Sequence, residues 1–85
     1  MAKSKIKGEL EVDSNIEMIQ VSSSNIAEVG YDDEREIVYV RFLNNTLYNY
    51  KGVPKIEFEG LLSAPSVGSY LHRNFKNVYP YERIE

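Results

Sequence analysis

Apolar residues alternate with polar ones through the middle of the chain and recur at three- and four-residue spacing towards its end. The change of period separates a strand-forming region from a helix-forming one. The segment Ile37-Val38-Tyr39-Val40-Arg41-Phe42 is β-branched and aromatic, with little helix character. Asn44-Asn45 follows, then Leu47-Tyr48-Asn49-Tyr50, and together they predict a β-hairpin. Upstream, Ile19 and Val21 alternate with polar neighbours and predict a short strand. Ser22-Ser23-Ser24-Asn25 is a turn cluster, because these side chains hydrogen-bond nearby backbone. Ile26-Ala27-Glu28-Val29-Gly30-Tyr31 reads as a strand and Asp32-Asp33-Glu34-Arg35-Glu36 as a charged turn.

The hairpin admits two registers. A two-residue turn at Asn44-Asn45 pairs Phe42 with Leu47 and puts Tyr48 and Tyr50 on the face of Tyr39 and Arg41. A three-residue loop, with Asn45 in the left-handed region, pairs Phe42 with Thr46. It puts both tyrosines on the face of Val38, Val40 and Phe42. The second register is preferred, because it makes one continuous apolar face for helices to cover.

Pro54 suits the first position of a helix, where its missing N–H costs nothing. Ile56, Phe58, Leu61 and Leu62 supply an apolar face for that helix. Gly60 within it weakens it by about 1 kcal/mol relative to Ala, which suggests close packing there. Ala64-Pro65 ends it. Ser66 is a plausible N-cap for a second helix, whose apolar stripe is Val67, Tyr70, Leu71, Phe75 and Val78, ended by Pro80. Residues 81–85 are expected to return as a short extended piece along the sheet. Residues 1–17 alternate Lys and Glu around apolar positions and read as a loose arm or an added edge strand.

The chain has 85 residues, room for one domain. It contains no cysteine, so its stability comes from packing alone, and a cytoplasmic setting is the natural expectation. No apolar run is long enough for a membrane span, and the basic start lacks the apolar stretch of a signal peptide. The formal net charge is −3, which opposes bulk attraction to nucleic acid. Residues 1–50 carry 5 basic and 9 acidic side chains, and residues 51–85 carry 5 and 4. A phosphate-binding surface is therefore expected in the second half.

The order of elements resembles the KTSC domain, a family named for its occurrence at the C-terminus of some lysyl-tRNA synthetases. The resemblance covers residues 18–84. It rests on Val21-x-Ser23 with Ile26, Val29-Gly30-Tyr31-Asp32, Val38-x-Val40-x-Phe42, Tyr48-x-Tyr50 and Val53-Pro54. It continues through Leu61-Leu62-x-Ala64-x-Ser66-x-Gly68-x-Tyr70, Lys76, Tyr79 and Arg83. Asn45 stands where the family usually has Gly, and His72 where it often has Asn. The family also occurs as small stand-alone bacterial and phage proteins, and its synthetase context implies RNA binding. The expected fold is α+β, an antiparallel sheet of three to four strands (a β-meander) covered on one face by two C-terminal helices. Residues 18–85 form the domain.

Two constellations carry candidate chemistry. Tyr48 and Tyr50 can stack a base on a sheet, or pack under the helices with their hydroxyls at the edge. Ser66, Ser69, Arg73 and Lys76 form one polar stripe at the start of the last helix, where free N–H groups and partial positive charge favour a phosphate. Gly68 allows close approach there, and Tyr70 and His72 complete the candidate ligand-binding set. The stripe also reads as an ordinary solvated face. His72, the only histidine, has no recognisable nucleophile motif to serve, and Asp32-Asp33-Glu34 reads as a solvated turn rather than a metal site. Several of Tyr31, Tyr39, Tyr70, Tyr79 and Tyr81 are expected at a surface or an oligomer interface.

The leading expectation is a small non-enzymatic binding domain for a phosphate-bearing ligand, RNA or a small nucleotide. A phage-type protein sequestering a nucleotide signal would fit the size. No catalytic residue, metal or cofactor is expected. The alternative is a protein-interaction or self-assembly module, a homo-oligomer included, that uses the arm at residues 5–12 and the exposed tyrosines.

Overall fold

A computed structural model of the chain describes residues 16–85. The arm expected over residues 1–17 falls almost wholly outside them. The strands β1 (Met18–Gln20), β2 (Ile26–Asp32), β3 (Ile37–Phe42) and β4 (Leu47–Lys51) come first. Two helices, α1 (Lys55–Ser63) and α2 (Val67–Asn74), and a last strand, β5 (Tyr81–Arg83), follow. The strands form one antiparallel sheet in the order β1-β2-β3-β4-β5. The α+β class and the two helices agree with expectation. Among the described residues the sheet has five strands, not three to four: the short strand expected around Ile19 and Val21 and the extended piece expected over residues 81–85 both pair as edges, each three residues long.

The hairpin takes the three-residue loop. Val40 lies opposite Tyr48 and Val38 opposite Tyr50. The Phe42 N–H donates to the Thr46 carbonyl at 2.9 Å, and Asn45 has φ 72°. Tyr48 and Tyr50 therefore share the helix-covered face with Val38, Val40 and Phe42. In β2 the pairing shifts between Ile26, opposite Phe42, and Glu28, opposite Arg41. This bulge lets Ile26 and Val29, three apart, both face inward. With Val38, Val40, Leu61 and Phe75 they form the centre of the core, all fully buried.

Pro54 caps α1 in an extended conformation, one position earlier than expected, and its carbonyl accepts from the Glu57 and Phe58 N–H groups. Phe58 and Leu61 are buried, but Ile56 is 73% exposed and Leu62 lies at the surface. The apolar face of α1 is thus narrower than the four residues suggested. Ile56 lies about 200° around the helix from Phe58. A Cβ on Gly60 would run into the Tyr70 hydroxyl, so the two helices do approach closely there. Ala64, extended before Pro65, ends α1. Ser66 caps α2, its Oγ accepting from the Ser69 N–H at 3.2 Å.

Val67, Leu71 and Phe75 are the buried stripe of α2. The helix stops at Asn74, well before Pro80, and Val78 is exposed in the following turns. Two interactions account for the early end. The Asn74 side chain donates to the Tyr70 carbonyl at 3.2 Å, competing with the helix ladder. Buried Phe75 then anchors the exit, its carbonyl accepting from the Val78 and Tyr79 N–H groups.

The other face of the sheet also holds buried groups. Tyr39, one of five tyrosines of which several were expected at a surface, is itself 3% exposed, and Leu47 and Asn49 are buried beside it. The Asn49 Oδ1 accepts from the Glu82 N–H at 3.2 Å, which fastens β5. Among the described residues no helix is long and apolar enough to cross a membrane.

Candidate ligand-binding groove

Residues 22–25 fold into a tight turn beside the start of α2. The Ser23 Oγ accepts from the N–H groups of Asn25 (3.3 Å) and Ile26 (3.2 Å), and donates to the Asn25 Oδ1 at 3.1 Å. The Asn25 carbonyl accepts from the Leu43 N–H at 2.9 Å, tying this turn to the hairpin loop. The Asn25 side chain comes so near α2 that a Cβ on Gly68 would lie 2.8 Å from its Oδ1. Gly68 thus makes room for Asn25 itself.

A groove of about 650 Å³ opens between this turn and α2. Ser66, Ser69, His72 and Arg73 line its helical side. Val67 and Gly68 also border it, and their N–H groups, in the first turn of α2, have no hydrogen-bond partner among the described residues. A second cavity of about 270 Å³ shares Asn25, Gly68 and His72 with the first. Its remaining walls are Phe42, Tyr48, Tyr50, Leu71, Lys76 and Tyr81. The fold therefore brings both candidate constellations together. Tyr48, Tyr50 and Lys76 line the smaller cavity, Ser66, Ser69 and Arg73 the larger, and Gly68 and His72 border both.

Tyr70 is the exception. Its hydroxyl donates to a Glu57 carboxylate oxygen at 2.7 Å, over Gly60. That bond, with burial and the nearby charge, raises its pKa. Tyr70 belongs to the α1–α2 contact and lines neither cavity. Burial, then the neighbouring Tyr81 and Tyr48, push the Tyr50 hydroxyl up to about 12.

Charge is distributed unevenly over the described residues. Arg41 meets Glu85 at 2.8 Å and Glu28 at 3.6 Å, and Lys51 meets Glu82 at 2.8 Å. Arg35 and Lys55 lie 3.9 Å from Asp32 and Asp33. Arg73 and Lys76 have no carboxylate partner among the described residues, and no acidic residue lines either cavity. Arg83 also lacks an ion pair; its Nε donates to the Glu85 backbone at 2.9 Å. The acidic run at 32–34 serves its turn, where the Asp32 carboxylate accepts from the Glu34 and Arg35 N–H groups. Among the described residues no group of three or more His, Asp or Glu is placed to hold a metal.

Ser23, Asn25 and Tyr81 are groove residues that sequence reasoning did not single out. Ser23 and Asn25 were visible as turn formers. Their place against α2 depends on contacts distant in sequence. Tyr81 was visible only as one of many tyrosines.

The family model described as the KTSC domain matches residues 22–79. A protein of Stutzerimonas stutzeri (strain A1501), described only as uncharacterized, is 37% identical over 68 residues, covering 79% of this chain and 96% of its own length. A lysine–tRNA ligase of Trichormus variabilis is 30% identical over 67 residues, which cover 79% of this chain but 12% of the ligase. The crystal structure of a KTSC domain protein from Yersinia pestis matches with a TM-score of 0.79 and 28% identity, covering 82% of this chain and 99% of that one. The family match stops short of β1 and β5.

Proposed function

We propose that this chain, which belongs to the KTSC domain family, is a small non-enzymatic binding domain for a phosphate-bearing ligand, and for a small nucleotide in preference to RNA. One observation carries the reading. Arg73 and Lys76 stand unpaired at a groove that has no carboxylate, while four of the other five cations among residues 16–85 are neutralised. The first-turn N–H groups of α2 add donors and partial positive charge. Binding to RNA draws on many phosphate contacts, each of which releases counterions. Three cations without an ion pair among residues 16–85, on a chain of net charge −3, suit one or two phosphate groups better. His72 is exposed, with no hydrogen-bond partner among the described residues to orient it as a base, which favours binding without turnover. Sequestration of a nucleotide signal needs nothing more.

The test is calorimetric titration of the full chain with pyrophosphate, nucleotides and RNA oligomers, repeated on an Arg73→Ala/Lys76→Ala double variant. The expected result is nucleotide binding that weakens at least about tenfold in the variant, since charge-assisted contacts are the strong ones. Absence of binding across the panel removes the reading. Equal binding by the variant removes this site. Tight RNA binding without nucleotide binding moves the preference to RNA.

A second reading, self-association, draws on the open edge at β5, where Tyr81 is half exposed and Ile84 lies at the surface beside it. Light scattering that returns a monomer at all concentrations counts against it.

A further inference from the structure

The smaller cavity has a wall that phosphate binding does not use. Tyr48, Tyr50 and Tyr81 form a connected cluster, with ring centroids 6.0 Å apart for Tyr48–Tyr81 and 5.5 Å for Tyr50–Tyr81. Phe42 meets Tyr48 edge-on at 5.4 Å, and Phe75 meets Tyr50 edge-on at 5.6 Å, so the inner rings are held in place. Tyr81 is different. It is 50% exposed and presents ring surface beyond its aromatic neighbours.

Tyr50 adds an independent sign. The residue is 5% exposed and lines this cavity, yet its hydroxyl makes no hydrogen bond among the described residues. Buried polar groups are nearly always paired, and an unpaired one in a native fold calls for a physical reason. Tyr31 donates to the Val53 carbonyl at 2.7 Å and Tyr70 to Glu57, both on the α1 side. Tyr50, which lines the smaller cavity, has no such partner among the described residues.

We infer that the smaller cavity is a seat for a planar heteroaromatic ring, stacked on Tyr81 and accepting a hydrogen bond from Tyr50, so that the ligand is a nucleoside phosphate. The inference rests on the phosphate reading above and extends it to the other end of the ligand. The two cavities share Asn25, Gly68 and His72, so one molecule can span them, its phosphate at Arg73 and its ring at Tyr81. Base–aromatic stacking is sequence-tolerant because every base has a π-face. The stack therefore selects for a base without choosing which one.

The experiment titrates the full chain with ribose 5-phosphate, adenosine, and the 5′-monophosphates of adenosine, guanosine, cytidine and uridine. It is repeated with Tyr81→Ala, Tyr50→Phe and Arg73→Ala. At least one nucleoside monophosphate is expected to bind roughly tenfold or more tighter than ribose 5-phosphate, the scale of one stacked base. Tyr81→Ala removes that advantage and leaves ribose 5-phosphate unaffected. Tyr50→Phe weakens the nucleoside monophosphate alone, without lowering the unfolding midpoint, because no internal hydrogen bond is lost. If ribose 5-phosphate binds as well as every nucleotide, and Arg73→Ala abolishes both, the ring seat is overturned and the phosphate reading stands. If adenosine matches its monophosphate and Arg73→Ala has no effect, the ring seat stands and the phosphate reading falls. If nothing in the panel binds, both fall.

Discussion

The two sides of α2 spend their polar groups differently. On the side that meets α1, donors and acceptors are closed on one another. Tyr70 donates to Glu57 and Tyr31 to the Val53 carbonyl; Lys55 stands 3.9 Å from Asp33; the Tyr31 and Phe58 rings stack at 5.1 Å. On the side that meets the 22–25 turn, two cations, two first-turn amides and the Tyr50 hydroxyl have no partner among the described residues. A group already paired inside the protein adds to stability and has little left to offer a ligand. A group left unpaired next to open space is available. The contrast separates the residues that hold the domain together from those that can bind, and it makes them separately breakable.

The largest effect should come where the two sides meet. Phe75 is fully buried and touches Tyr50 on one side and Tyr70 and Tyr79 on the other. Phe75→Ala is expected to cost about 3–5 kcal/mol, through lost burial and the cavity left behind. In a domain this small that approaches the whole stability. Urea unfolding followed by circular dichroism measures it. A loss under about 1 kcal/mol would mean that the two sides do not share one core.

Next comes the α1 side alone. Tyr70→Phe removes the hydroxyl bond to Glu57 and is expected to cost about 1–2 kcal/mol, in the range for a hydrogen bond to a charged group at a half-buried site. Ligand affinity should be unchanged, because Tyr70 lines neither cavity. A binding defect with stability intact would reverse the division drawn here.

These predictions depend on placements that the sequence showed unequally. The hairpin was legible because its alternation is strict and Asn45 tolerates positive φ, so the apolar face chose the register. Gly60 was legible as a contact, since a helix carries a central glycine at a cost. Of the edge strands, β1 was legible in the alternation of Ile19 and Val21, whereas β5, expected only as an extended piece, has three residues and depends on pairing with β4 to count as a strand. Tyr70 was placed both in the apolar stripe of α2 and in the candidate ligand-binding set. One residue is about 100° around a helix, which turns Tyr70 from the groove to α1. Asn25 escaped notice because its role arises only when the turn closes on Gly68.

Alkaline pH gives a finer measure of the groove side. The Tyr50 hydroxyl is pushed from 10.0 up to about 12, chiefly by burial. Folding therefore favours its protonated form. Between those two values the unfolded chain has released the proton and the folded chain retains it, so stability falls as pH rises through that window. Below pH 10 the group contributes no pH dependence. Among the tyrosinate phases, a component near pH 12 should be lost in Tyr50→Phe, and the unfolding midpoint of wild type should drop more steeply than that of the variant. Identical slopes would show that Tyr50 is open to water.

The smallest expected change in stability sharpens the comparison most. In Gly68→Ala the new Cβ would lie 2.8 Å from the Asn25 Oδ1. The obstacle is the end of an exposed side chain, so Asn25 can swing aside. The alanine also gains helix propensity, less than the roughly 0.8–1.0 kcal/mol of a helix interior because Gly68 lies in the first turn of α2. The two effects should leave stability within about 0.5 kcal/mol of wild type, as for surface substitutions that touch no special feature. The groove changes much more, because Asn25 borders both cavities and Gly68 lies at their junction. Nucleotide affinity is expected to fall by about tenfold or more, which 1.4 kcal/mol of displaced contact is enough to produce. Paired urea and calorimetric titrations of this variant and Tyr70→Phe then give opposite signatures. Gly68→Ala keeps the fold and loses the ligand; Tyr70→Phe loses stability and keeps the ligand. If Gly68→Ala instead unfolds the domain, the contact between Asn25 and α2 supports the fold, and the turn at 22–25 belongs with the side that is already closed.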